Sequence, residues 1–279
     1  MRRQLGSTVL TFFLALASSP AFAGERYTFS VERTGGLIGY SRVGHVLAEG
    51  DRYRVELLPN PAEVARAGAG PTAYDVLLSK DGGKQEVGVV LESRTFYNLK
   101  HPGPTPSTPL FRLFPMSGER SKVSKVKLEV AAQPQLETVS GLAARRHDIR
   151  LSYDITVPLL NERISGKVRL EASYWMAEDR SVTLPRMLRP EIHTGFPEID
   201  GQLAAELAKL KGTPLKQSWT VSTEAEQSAP QSNTFTAILS GIEEAQVKPA
   251  DFEVPAGFRY EEPVFVGPGA PIMAPPGGR

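Results

Sequence analysis

The sequence predicts an α+β fold: a strongly curved antiparallel sheet, or half-barrel, with one helix. Three observations predict it. Most of the chain after residue 24 alternates apolar and polar residues, the period of strands with one buried face. Two of these runs are long: Ile149, Leu151, Tyr153, Ile155 and Val157 line one, and Val168, Leu170, Ala172, Tyr174 and Met176 line the next. Long one-sided strands suit a strongly curved sheet. One convincing helix, 197–211, shows helical spacing through Ile199, Leu203, Leu207 and Leu210, with Gly212 and Pro214 as stop signals.

Residues 1–23 read as a secretory signal. Arg2 and Arg3 precede a short apolar run over 9–17, then Pro20 and the small-residue pattern Ala21-Phe22-Ala23. That run has about half the length of a membrane span. The expectation is a cleaved leader, a periplasmic chain starting at Gly24, and no transmembrane anchor. Glycine at that position, in a chain with no cysteine, also leaves no thiol for a lipid anchor.

Tyr27, Phe29 and Val31 alternate in the first strand, and Gly35-Gly36 closes a hairpin onto 37–47. Glu49-Gly50-Asp51 turns into a third strand with Tyr53, Val55 and Leu57. The stretch 59–72 is rich in Pro, Ala and Gly and reads as a loop with one helical turn at 62–67. Strands follow at 74–79, 86–91 and 95–99, the first two separated by the turn Lys80-Asp81-Gly82-Gly83-Lys84. The prolines at 102, 104 and 106 exclude a ladder strand there. Thr108 and Pro109 then start a short helix carrying Leu110, Phe111, Leu113, Phe114 and Met116. Beyond the two long strands and the helix come a strand over 215–221, a polar turn at 228–232, and an edge or closing strand over 234–242. Residues 251–258 form a compact tuck, and 261–279, rich in Pro and Gly, read as a disordered tail. The domain organisation is thus signal 1–23, one β-rich domain 24–260, and tail 261–279.

Composition limits the chemistry. The absence of cysteine excludes disulfides, thiolate metal sites and a cysteine nucleophile. Basic and acidic residues number 32 and 31, so nothing favours nucleic acid, which needs a concentrated positive face. None of His45, His101, His147 and His193 has a metal-ligand spacing. His147-Asp148 resembles a base beside its carboxylate but reads as a charged strand end. Glu243-Glu244, Glu261-Glu262 and Glu178-Asp179 read as surface acids. No nucleophile elbow, phosphate loop or dinucleotide fingerprint occurs. The expectation is no enzyme, no metal and no cofactor.

The candidate site is apolar. Leu110, Phe111, Leu113, Phe114 and Met116 either plug the core or form a lid over a cavity floored by Tyr153, Leu170 and Tyr174. Trp175 falls on the opposite face, with Arg169, Glu171 and Ser173, and is expected to pack under the 185–197 loop.

Several short motifs occur in a telling order. Gly50-Asp51-Arg52-Tyr53-Arg54-Val55-Glu56 comes first, then Thr95-Phe96-Tyr97-Asn98-Leu99. Val139-Ser140-Gly141-Leu142-Ala143-Ala144-Arg145-Arg146 follows, then Trp175 and the step Leu184-Pro185. Gly212-Thr213-Pro214-Leu215-Lys216 and Phe252-Glu253-Val254-Pro255-Ala256-Gly257-Phe258 close the series. Together they resemble a secreted bacterial family of unknown function, related to the periplasmic lipoprotein carriers with their LolA/LolB-like fold. The resemblance implies a half-barrel around a helical plug. The expected function is a soluble periplasmic protein that binds a lipid or lipoprotein acyl chain, or handles envelope components with an envelope protein as partner. The alternative is an interaction or scaffold protein whose cavity is filled by its own side chains.

Overall fold

The computed structural model describes residues 22–35, 40–58, 74–99, 121–159, 162–225 and 228–262. In chain order the strands are β1 (Phe22–Gly35), β2 (Tyr40–Glu49), β3 (Arg52–Leu57), β4 (Val76–Ser79), β5 (Glu86–Val90) and β6 (Thr95–Leu99). Then come β7 (Lys122–Val139), β8 (Leu142–Leu159), β9 (Glu162–Ala177), the helix α1 (Pro197–Leu207), β10 (Thr213–Ala225), β11 (Ser228–Val247) and β12 (Arg259–Tyr260). The strands form one open sheet in the order β12-β6-β5-β4-β3-β2-β1-β11-β10-β9-β8-β7. Every pairing is antiparallel except β12 with β6.

Alternation gives the sheet an apolar inner face. Tyr27, Phe29, Val46, Val55, Leu77, Ile149, Leu151, Leu170, Tyr174, Trp219 and Phe235 join one continuous core with Leu188, Ile192 and the helix. A single cluster reaching from β4 to β8 requires the sheet to bend around it. Gly44 permits part of this packing. A Cβ there would stand 2.6 Å from the Phe29 ring, which lies across β2.

The helical plug is smaller than the sequence suggests: one α-helix among the described residues, with the helical turns expected at 62–67 and 109–116 lying outside them. Pro197 occupies its first turn, and Ile199, Leu203 and Leu207 form its buried stripe. Asp200 accepts hydrogen bonds from the Thr194 and Gly195 amides and from Thr194 Oγ1, which fixes the entry. The helix ends at Leu207 rather than 211 because the chain tightens, with Leu210 N–H donating to Leu207 O. Gly212, at φ +85°, then passes so close to β9 that a Cβ would stand 2.0 Å from Ala177 O.

The expected edge strand at 234–242 is instead central. β11 starts at Ser228, absorbs the polar stretch read as a turn, and pairs β1 on one side and β10 on the other. Its hydroxyls suit the outer face, where Thr220 meets Thr234 at 3.0 Å and Ser222 meets Ser232 at 3.4 Å. The sheet's edges are β12 and, on this side, β7. β7 is exposed along most of its length and is interrupted by irregular register between Ser124 and Lys127 and between Ala132 and Leu136. Such bulges discourage strand addition.

The chain after β11 crosses the outer face of β3–β6 as a strap. Phe252 is buried there with the Arg52 guanidinium 5.1 Å from its ring centre, and Lys80 pairs with Glu253. Val254 and Phe258 cover Val76, Leu78 and Val89. β12 then runs beside β6, and Glu261 N–H donates to Phe96 O.

Candidate functional site

Between β9 and β10 the chain leaves the sheet over residues 178–212 and returns to the same place, where Thr213 pairs with Ala177. This excursion covers the inner face. Thr183 N–H donates to the Glu25 carboxylate, Thr183 Oγ1 to Gly50 O at 2.6 Å, and Tyr27 Oη to Thr183 O at 2.7 Å. Arg189 reaches Gly82 O at 2.6 Å, and Gln217 Nε2 donates to Leu188 O. Leu188, Ile192 and the α1 stripe bury against the sheet beneath.

Of the predicted site residues, Tyr153, Leu170 and Tyr174 come together in this core. Tyr153 meets Phe196 of the excursion edge-on, ring centres 5.9 Å apart. Leu110, Phe111, Leu113, Phe114 and Met116 lie outside the described residues. The described cover is therefore the 178–212 excursion. Gln217, Trp219 and Leu188 are the site residues that the sequence did not single out. Gln217 stood in register with Leu215, Trp219 and Val221, and a polar residue in an apolar row was the available signal.

Polar groups on the inner face are few. Burial is the main cause that pushes the Tyr153 phenol up to about 12, with the Asp200 carboxylate adding to it. Tyr174 is raised further, again by burial. Toward β5, Tyr53 donates to the buried Glu86 carboxylate. Burial and that carboxylate both lift the Tyr53 phenol.

Trp175 does lie on the outer face, but it packs beside residues of β7, β8 and β10 in the same sheet rather than under the 185–197 loop. It clusters with Ala144, Ala177 and Leu215 and donates to Glu137 at 2.8 Å. Lys216 Nζ and the Arg146 guanidinium stand 4.4 and 5.2 Å from its ring centre. His147 and Asp148 are adjacent in β8 and so face opposite sides. Asp148 belongs to a buried network instead of a solvated strand end, accepting from Ser173, Gln133 and Arg146. Among the described residues no three His, Cys, Asp or Glu gather to hold a metal. No described helix is long and apolar enough to cross a membrane.

Two open grooves lie away from the inner face. One, of about 690 Å³, lies across β1–β3 beside the strap, between Arg26, His45, Arg54 and Asp251. Its charges are partnered: Arg26 with Glu243 and Arg54 with Glu56. The other, of about 490 Å³, lies at the sheet end around Gly24, Gly50 and Thr183.

No protein-family model and no curated protein matches the chain. Among solved structures it is similar to a LolA superfamily protein, NE2245 from Nitrosomonas europaea, at 7% identity and a TM-score of 0.30, over 84% of this chain and 91% of that one. It is similar to a putative outer membrane lipoprotein-sorting protein domain from Vibrio parahaemolyticus at 8% identity and a TM-score of 0.31, over 84% and 90%. A DUF1329 family protein from Desulfovibrio piger is similar at 9% identity and a TM-score of 0.28, over 84% and 91%.

Proposed function

We propose that this protein is a non-enzymatic periplasmic carrier that binds an apolar chain, such as the acyl chain of a lipid or lipoprotein, on the inner face of its sheet. One observation supports the reading above all. The inner face is covered by an excursion whose ends meet at a single rung, Ala177 with Thr213. The excursion can lift without breaking any ladder of the sheet, and lifting exposes a continuous apolar floor. Lipid-free protein titrated with a fluorescent fatty acid tests this. Saturable uptake at one site, and acyl lipid in a solvent extract of protein purified from its host, are expected. An intact mass beginning at Gly24 in a periplasmic fraction would support the location.

A second reading has its own observation. In this structure the inner face is filled by Leu188, Ile192, Ile199, Leu203 and Leu207 of the same chain. A scaffold with a permanently self-filled cavity would give a lipid-free extract and take up no fatty acid.

A further inference from the structure

Three buried polar atoms on the inner face make no hydrogen bond of ordinary geometry, Tyr174 Oη, Trp219 Nε1 and Gln217 Oε1, although the Trp219 indole N–H still acts on the Tyr174 phenol as a longer, weaker donor. Their residues are exposed by 2% or less. They are neighbours. Gln217 pairs with Tyr174 across β9 and β10, and Trp219 follows two residues later on the same face. The Tyr174 and Trp219 rings are 6.3 Å apart, and Phe235 stacks on Trp219 at 4.8 Å. Buried polar groups are nearly always satisfied, so a cluster of orphans needs a cause. One further orphan, Arg33 Nε, belongs to β1, with Phe235 of β11 lying between it and Trp219 in strand order.

We infer that Tyr174, Trp219 and Gln217 form a polar anchor for the uncharged carbonyl head, ester or amide, of an acyl ligand. The inference rests on the carrier reading and names its ligand class. Tyr174 and Trp219 offer two donors to a carbonyl oxygen, and Gln217 Oε1 accepts from a hydroxyl or amide N–H of the same head. The set is neutral: burial is the main cause raising the Tyr174 phenol, the Trp219 N–H opposes it, and no charged group contributes. An ionised head here would be desolvated among neutral groups, because the Arg33 guanidinium lies beyond the Phe235 ring and donates to Asn233 Oδ1 instead. Gln217 is also the latch, since its Nε2 holds Leu188 O of the cover. Lifting the cover breaks that bond and frees the amide beside the other two groups.

The test compares monopalmitoylglycerol, palmitate and hexadecane as displacers of a bound fluorescent apolar probe, in wild type, Tyr174→Phe and Gln217→Leu. Wild type should prefer the glyceryl ester to both others. Each variant should lose about two- to tenfold of that preference, the worth of one neutral hydrogen bond. Tyr174→Phe keeps the shape and removes an orphan, so its ligand-free Tm should hold or rise. Equal displacement by ester and hydrocarbon in wild type overturns the anchor while leaving the carrier reading standing. A preference for palmitate overturns the neutral class. A fall in Tm of Tyr174→Phe with unchanged ligand preference assigns the atoms to an ordered buried water and overturns the proposal. Failure of all three compounds, and of the probe, to bind overturns the carrier reading itself.

Discussion

Replacing Leu203 with alanine separates a cover that opens on its own from a plug that holds the fold together. Leu203 is fully buried at the centre of the α1 stripe, between Ile199 and Leu207 one turn away on either side. Truncating such a leucine costs about 2–5 kcal/mol, depending on how far the site collapses. If the excursion opens as its own unit, this cost falls on the closed state alone. The opening constant then rises by about 30-fold to several thousand-fold. Amides of α1 should lose hydrogen-exchange protection by that factor, while the β8–β11 ladders stay protected up to the stability of the opened form. Uptake of an apolar probe should strengthen. Hydrogen exchange read by mass spectrometry on peptides from α1 and β8–β11 measures both. Equal loss of protection in helix and ladders, with no gain in probe uptake, would refute the argument, because α1 would then open only when the whole sheet unfolds.

Other perturbations probe the frame around the site. Phe252→Ala removes the buried ring of the outer strap and should cost about 3–5 kcal/mol, read as a lowered urea midpoint. It should also speed proteolysis after Lys248. Burial by itself would raise the Asp148 carboxyl, but hydrogen bonds from Ser173, Gln133 and Arg146 hold it below its ordinary value. A lowered folded value stabilises above the unfolded one, so the wild-type advantage over Asp148→Asn should be full above about pH 4 and fade as acid is added. Urea midpoints measured across that range check it. Tyr74 and Tyr153 are pushed up to about 12, chiefly by burial. A raised folded value stabilises below the unfolded one, near pH 10, and that stability is lost as pH climbs through about 12. Tyrosinate absorbance should therefore appear together with loss of the folded circular dichroism signal; early titration of all phenols in the folded protein would contradict it.

Much of this architecture was legible because alternation is a local signal. Ile149 to Val157 and Val168 to Met176 declared their inner faces residue by residue, and the structure buries those rows. Ile199, Leu203 and Leu207 did the same for the helix. The position of β11 was not legible. Its polar start, around Ser228 to Ser232, resembles a turn, and only the partner hydroxyls of β10 make those residues good strand residues. Trp175 was placed on the correct face, but its neighbours there come from β7, β8 and β10 of the same sheet, an order that no local pattern encodes. The cover itself was hidden for a related reason. Its hydrogen bonds run from Thr183 to Gly50 and from Arg189 to Gly82, over separations that no local pattern encodes.

The two coverings of the sheet differ in what lifting them would break. The outer strap ends in β12, so removing it disrupts a strand pairing beside β6. The inner excursion closes on one rung, so lifting it exposes side chains and releases isolated hydrogen bonds. The largest part of that cost is the burial of Leu188, Ile192, Ile199, Leu203 and Leu207, at about 1.5–3 kcal/mol each, or roughly 8–15 kcal/mol as an upper estimate. An entering acyl chain gains about 0.8 kcal/mol per methylene buried. Replacement should break even at roughly 9–19 methylenes. Shorter chains should therefore bind no better than they partition to any apolar surface. Beyond the threshold each added methylene should tighten binding by about fourfold, until the floor is filled. A series of monoacylglycerols of increasing chain length, compared by displacement of a fluorescent probe, reads the threshold directly. An affinity that rises smoothly from the shortest chains would mean that nothing is displaced. One that never rises would mean that the excursion does not yield.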